Sequence, residues 1–179
     1  MKILAFAASN SSQSINKQLV RHAAEVMKTE IAPDCTIETI DLNDFEMPIY
    51  SIDRETESGI PDHAHAFFKQ IGDADSVMIS FAEHNGNFTA AFKNIFDWAS
   101  RIDQKVFQGK PMVMLSTSVG KGGAANVLRI ATTSAPHFGG EVRASLSIGP
   151  FHEKFNTQDG TLSDAELAAQ LRETLRALL

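Results

Sequence analysis

The chain has 179 residues, of which 43% are hydrophobic and 21% charged, with a formal net charge of −6. These are ordinary globular values and argue against a disordered chain, and a chain of this length buries about 70% of its unfolded surface without a disulfide or metal staple. Basic residues are scattered singly, so no cationic stripe exists to follow a nucleic-acid backbone.

A single cysteine, Cys35, forms no internal disulfide and fits a reducing compartment. The apolar run Ile3 to Ala8 is too short for a signal-peptide core, and no segment reaches the ~18–20 apolar residues of a membrane span. The expectation is a cytoplasmic protein whose residues 1–179 form one domain.

Apolar runs and amphipathic stretches alternate along the chain, as in stacked βαβ units around a parallel sheet. Residues 2–8 read as a buried central strand. Residues 14–30 read as a helix with Ile15, Leu19, Ala23, Val26 and Met27 on one face. Thr36 to Leu42 is the second strand, and the long polar stretch after it, with Pro48, Gly59 and Pro61, reads as a loop. A helix is expected over 62–72, a strand over Ser76 to Phe81, and a helix over 89–102. The fourth strand spans Pro111 to Thr117 and the next helix Gly122 to His137.

Val142, Ala144, Leu146 and Ile148 alternate with polar residues and predict an edge strand with one wetter face. Ser163-Asp-Ala-Glu166 reads as a capping box that opens a final helix with Leu167, Leu171, Leu175 and Leu178 on one side.

Polar turn-forming residues gather in three places: Ser9-Asn-Ser-Ser-Gln-Ser14, Ala82-Glu-His-Asn-Gly-Asn87 and Ser116-Thr-Ser-Val-Gly-Lys-Gly-Gly123. Each follows an apolar strand: the first, third and fourth. In the doubly wound order 2-1-3-4-5 those strands are neighbours, and their carboxyl-end loops line one crevice at the topological switch point.

In the first cluster, five of six positions are Ser or Asn. Free backbone N–H groups, side-chain donors and a helix dipole together make a phosphate cradle. Simple capping of the following helix is the competing reading, but a cap needs one such residue. No glycine precedes Gly59, so neither G-x-G-x-x-G nor the Walker loop follows the first strand. A glycine-free Ser/Asn cradle in such a sheet favours the monophosphate of FMN.

Ala8-Ser-Asn-Ser-Ser-Gln-Ser-Ile-Asn16 resembles the G-S-x-R-x-x-S-x-N phosphate loop of the NADPH-dependent FMN reductase family. Glu83-His-Asn-Gly-Asn-Phe-Thr-Ala-Ala-Phe-Lys-Asn-Ile-Phe-Asp-Trp98 is similar to its P-E-Y-N-x-S-x-P-x-x-L-K-N-x-I-D-W block, and Ser116 to Gly123 to its S-x-S-x-G-x-x-G-G turn. Met47-Pro-Ile-Tyr50 resembles its Pro-rich stretch. The chain departs at Ala8 for glycine, Ser11 for an arginine beside the phosphate, Ala82 for proline and His84 for tyrosine.

The resemblance implies a flavodoxin-like α/β three-layer sandwich with a five-stranded parallel sheet. It also implies FMN as cofactor, NADPH or NADH as hydride donor, and a small acceptor such as a flavin, quinone, azo or nitro compound. It places Ser9, Ser11, Ser14, Ile15 and Asn16 at the phosphate, Ala82, Glu83, His84, Asn85 and Gly86 along the isoalloxazine, and Ser116, Ser118 and Gly120 on its other side. Glycines at 86 and 120 would let the backbone come close to the ring.

Flavin carries the redox chemistry itself, so no side-chain acid or base is strictly required. His84 is the candidate catalytic residue, as a hydrogen-bond donor whose charge switches near neutral pH; a solvent-facing turn histidine is the plain alternative. No metal set is expected, because His63 and His65 fall on different sides of a helix.

On the third helix, Phe88, Ala91, Phe92, Ile95, Phe96, Trp98, Ala99 and Ile102 cover an apolar arc of about 160°. Its surplus, Phe96 and Trp98, together with the resemblance, suggests a homodimer, possibly a tetramer. A flavodoxin-type electron carrier and a flavin-binding domain without reductase activity are the alternative functions.

Overall fold

In the computed structural model, which describes residues 1–179, three strands are buried on both faces along almost their whole length: β1 (Lys2–Ala8), β3 (Ser76–Phe81) and β4 (Pro111–Thr117). Strands of this kind lie in the middle of a parallel sheet covered by helices on each side. β2 (Thr36–Thr39) and β5 (Glu141–Ile148) complete the sheet at its two edges. All pairs are parallel, in the expected order β2-β1-β3-β4-β5.

Because side chains alternate between faces, the sheet feeds two cores. Leu4, Phe6, Ile79, Phe81 and Met114 face α3 (Asp62–Gly72), α4 (Ala90–Ile102) and α5 (Ala125–Ser134). Ile3, Ala5, Met78, Val113 and Leu115 face α1 (Ile15–Val26) and α7 (Ala165–Arg176). The outcome is a helix–sheet–helix sandwich.

Several boundaries differ from the sequence reading. The first helix ends at Val26 and continues as a wider π turn over Met27–Ile31. β2 stops at Thr39 because Asp41 caps a 3₁₀ turn, Leu42–Phe45, that swings Leu42 and Phe45 into the core. The polar stretch read as a loop contains α2 (Ile52–Ser58), capped by Ser51 and ended by Gly59 at φ 75°. No residue of α2 is buried, so it has no apolar period to detect.

The helix expected over 122–137 begins only at Ala125 and gives way to a 3₁₀ turn over Ala135–Phe138. The last helix is capped by Asp164, which accepts from the Glu166 and Leu167 N–H groups. Ser163 donates its N–H to the Lys154 carbonyl instead. A short element α6 (Phe151–Lys154) and a small hairpin, β6 (Phe155–Asn156) with β7 (Thr161–Leu162), precede it.

The wide apolar arc of α4 is used within the chain. Trp98 is 1% exposed, and its Nε1 donates to the Pro48 carbonyl at 2.7 Å with the Tyr50 ring edge-on at 5.0 Å. Asn94 fastens the same strap, donating to the Met47 and Pro48 carbonyls and accepting from the Tyr50 N–H. Phe96 packs on Phe107 and Phe138, with centroids at 5.4 and 4.8 Å. Trp98 therefore holds a loop and offers no surface to a partner subunit, whereas half-buried Phe96 packs on its neighbours and lines an apolar cleft.

His22, half-buried with its ring edge-on to Phe155 at 5.8 Å, gives a pH prediction. Burial lowers its pKa below the ordinary 6.5, with Glu30 opposing and Arg172 assisting. The unfolded chain then binds more protons, so the contribution is complete above about pH 6.5 and lost as pH falls through the lowered value. Urea midpoints are expected to fall between pH 7 and pH 5, less so in His22→Gln. Parallel curves for the two proteins would contradict this.

Candidate active site

Parallel register sets the site. Ala8 is level with Phe81, and Phe81 with Ser116, so β1, β3 and β4 end together at one edge of the sheet. Three bends leave side by side at the point where the strand order reverses, the usual ligand crevice of such sheets. The sequence reading of three converging bends holds in the fold.

The first bend is curled by its own hydroxyls. Ser9 Oγ accepts from the Ser11 N–H and Ser11 Oγ from the Gln13 N–H, both at 3.2 Å, while Ser14 caps α1 through the Lys17 N–H. Each oxygen spends a lone pair on the backbone and keeps its O–H free to donate. The N–H groups of Asn10 and Ser12 find no acceptor within the chain. Such free donors at a helix N-terminus suit an anion.

Cationic help is absent from the bend itself: Ser11 is exposed, and the Lys17 ammonium is held by Asp41 at 2.5 Å. Burial would raise the Asp41 pKa, but Lys17 and the amide groups of Asn43 hold it below the usual carboxylate value.

Ile15 is half-buried in the first turn of α1. Asn16 is turned inward, not toward the crevice. At 2% exposure, its Nδ2 donates to the Thr117 carbonyl at 3.1 Å. Its Oδ1 accepts from the Thr117 N–H at 3.1 Å and from Ser80 Oγ at 2.8 Å. One amide thus ties α1 to the ends of β3 and β4.

The second bend is a two-residue hairpin in which His84 and Asn87 exchange backbone hydrogen bonds at 2.9 and 3.1 Å. Asn85 and Gly86 have φ of 53° and 75°, the paired left-handed residues of a type I′ turn. His84 is exposed and makes no side-chain hydrogen bond, whereas Ala82 and Glu83 are half-buried. Glu83 Oε2 accepts from the Val127 N–H in the first turn of α5, at 2.8 Å. Thr89, buried at the start of α4, donates to the Ala8 carbonyl at 3.0 Å and accepts from the Phe92 N–H.

In the third bend, buried Ser116 donates to the Gly123 carbonyl at 2.8 Å, and Ser147 donates to the same oxygen from β5 at 2.9 Å. A Cβ on Gly123 would lie 2.5 Å from Ser147 Oγ and 2.8 Å from the Ile148 carbonyl carbon. Only glycine fits there. Gly120, in contrast, meets nothing nearer than Ser118 Oγ at 3.9 Å.

Ser9, Ser11, Ser14, the 82–86 turn, Ser118 and Gly120 thus belong to bends that leave one edge of the sheet, Ser9 and Ser14 largely buried, with Asn16 and Ser116 bracing the bends from within. Sequence reasoning missed the braces Thr89, Thr117, Gly123 and Ser147. Only a Thr ahead of a helical run and a quoted Gly-Gly pair pointed toward any of them. An apolar cleft of about 260 Å³ between α4 and α5 is lined by Phe92, Phe96, Phe107 and Phe138, and by Phe81 and Phe88, which flank the second bend.

Asn16→Ala leaves the Thr117 N–H and carbonyl and the Ser80 hydroxyl short of partners. Stability is expected to fall by about 2–4 kcal/mol in urea unfolding, and Asn16→Asp, which cannot donate to Thr117, should not restore it. Wild-type stability in both variants would contradict the bracing role.

Residues 1–149 match the family model described as NADPH-dependent FMN reductase. The chain is 36% identical over 126 residues to a 2-hydroxy-1,4-benzoquinone reductase from Burkholderia sp, a match covering 70% of this chain but only 64% of that protein. It is 29% identical to the NADPH:quinone oxidoreductase of Arabidopsis thaliana, over 99% of this chain and 90% of the relative. Among solved structures, the flavoenzyme NAD(P)H:(acceptor) oxidoreductase FerB from Paracoccus denitrificans shares the fold with a TM-score of 0.76 at 22% identity, over 99% and 94% of the two chains. With the family model spanning all three bends and the five strands that carry them, the chain belongs to the NADPH-dependent FMN reductase family.

Proposed function

We propose that this chain binds FMN across the three bends and serves as an NAD(P)H-dependent reductase of a small acceptor, a quinone first among them. The observation that carries the reading is the convergence of the bends at one sheet edge, with the Asn10 and Ser12 N–H groups unpartnered beside the N-terminus of α1. When bound, FMN supplies the two-electron chemistry that accepts hydride from a nicotinamide and passes it on.

The residues do the rest. Ser9, Ser11 and Ser14 hold the phosphate with hydroxyls, alongside the Asn10 and Ser12 amides. The Ala82–Gly86 turn and the Ser116–Gly120 bend bound the ring slot, their spacing set by Thr89, Glu83 and Asn16. His84, exposed at the tip of its turn, is free to donate to an acceptor oxygen. The quinone reading rests on the relatives' names.

A homodimer is part of the reading, on a different ground from the α4 arc. Ile49, 75% exposed, projects from the strap that Asn94 and Trp98 anchor, and Ile52, 59% exposed, from the start of α2 just after it; neighbouring apolar groups held out in this way suit a partner surface. No helix is long and apolar enough to cross a membrane, and a cytoplasmic location is proposed.

Purified protein should carry, or take up, a flavin spectrum that bleaches on anaerobic NADPH and returns on adding a quinone. Protein that ignores FMN would leave a flavin-free domain as the better reading, and bound flavin that NADPH and NADH fail to reduce would indicate an electron carrier. His84→Ala is expected to lower quinone kcat/KM about tenfold, the loss of one hydrogen bond to the acceptor; an unchanged kcat/KM would end its role. Sedimentation at micromolar concentration should give a dimer that Ile49→Asp weakens.

A further inference from the structure

Helix α5 lacks a cap of its own. Its N-cap position is Ala124, which has no side-chain acceptor and sits at φ 64°, and its first turn carries no acidic residue. The Val127 N–H, three residues in, would be one of the orphan donors that every helix start must place. Glu83 fills the gap from another bend, 44 residues away in sequence, with Oε2 accepting that N–H at 2.8 Å in a half-buried setting. A carboxylate there also meets the positive end of the helix.

Resting on the FMN reading above, we propose that Glu83 is a positioning residue. Its side chain ties the 84–87 turn to α5 and thereby sets the width of the slot for the flavin ring. The far end of the second bend is fastened by Thr89 to the Ala8 carbonyl. At its near end, Glu83 makes the only side-chain hydrogen bond from residues 82–86 to another part of the chain. The turn itself is closed by just the two His84–Asn87 bonds. Without the tie, the turn and the third bend are free to separate.

The bond requires reach more than charge. Gln at 83 keeps an oxygen at the same distance and loses the charge, whereas Asp keeps the charge and falls one methylene short. Because the tie lies at the ring and not at the phosphate bend, its loss should weaken FMN and riboflavin equally.

Wild-type protein and the Glu83→Gln, Glu83→Asp and Glu83→Ala variants would be titrated with FMN and with riboflavin, and Val127 amide exchange followed in each. Gln should bind both flavins within about threefold of wild type. Asp and Ala should lose about tenfold for both, the loss of a typical cap interaction, and exchange Val127 faster. Asp behaving as wild type while Gln behaves as Ala would overturn the proposal in favour of charge. Unchanged flavin affinity in all three variants, even with faster exchange, would reduce Glu83 to a helix cap. Wild-type protein that binds neither flavin would instead sink the FMN reading, and the role of Glu83 in the slot with it.

Discussion

Insertion of β3 between β1 and β4 is the constraint from which the site follows. Parallel strands run the same way, so their carboxyl ends share an edge, and the register Ala8–Phe81–Ser116 makes those ends level. The three polar bends then have no choice but to meet. Central placement requires strands apolar on both faces, which β1, β3 and β4 are and β5 is not. The chemistry of the crevice is thus a consequence of which strands are too apolar to lie at an edge.

Convergence alone does not make a fixed slot, because bends of small polar residues are mobile unless held. Here side chains tie them to their neighbours. Asn16 joins α1 to the ends of β3 and β4, Thr89 joins the second bend to β1, and Glu83 joins it to α5. Asn16 can do this because an amide both donates and accepts, satisfying Thr117 at its N–H and carbonyl together. Two of the three non-glycine residues held at positive φ, Asn85 and Ala124, lie in the same region, where Gly123 packs against Ile148; the third, Gln108, lies elsewhere. Such strain collects where surrounding structure is rigid enough to sustain it.

The chain also shows how a family framework tolerates change at its contact points. Ser11 stands where the family has an arginine, and Lys17, the cation nearest in sequence, is committed to Asp41. The bend itself therefore offers neutral hydroxyls and backbone N–H groups, with Arg21 of α1 lining the same cavity as Ser12 and Ser14. His84 replaces a tyrosine at the tip of an otherwise intact turn, where exposure costs the fold nothing. Both departures fall on exposed positions, and neither removes a side chain that ties the bends together.

By itself, the sequence determined the parallel α/β class, four of the five strands to within a residue, and the three polar bends that meet at one edge of the sheet. Each of these writes a local signature: an unbroken apolar run, a helical period, or a cluster of Ser, Asn and Gly. Tertiary structure alone decided the inward turn of Asn16, the burial of Trp98 under the Met47–Tyr50 strap, the existence of α2 and the cap that Glu83 lends to α5. Asn16 and Glu83 act on partners 101 and 44 residues away, and Trp98 is covered by a strap 50 residues away. α2 buries nothing that would impose a pattern. Where a side chain's partner lies across the fold, local pattern names the residue type but not the direction in which it points.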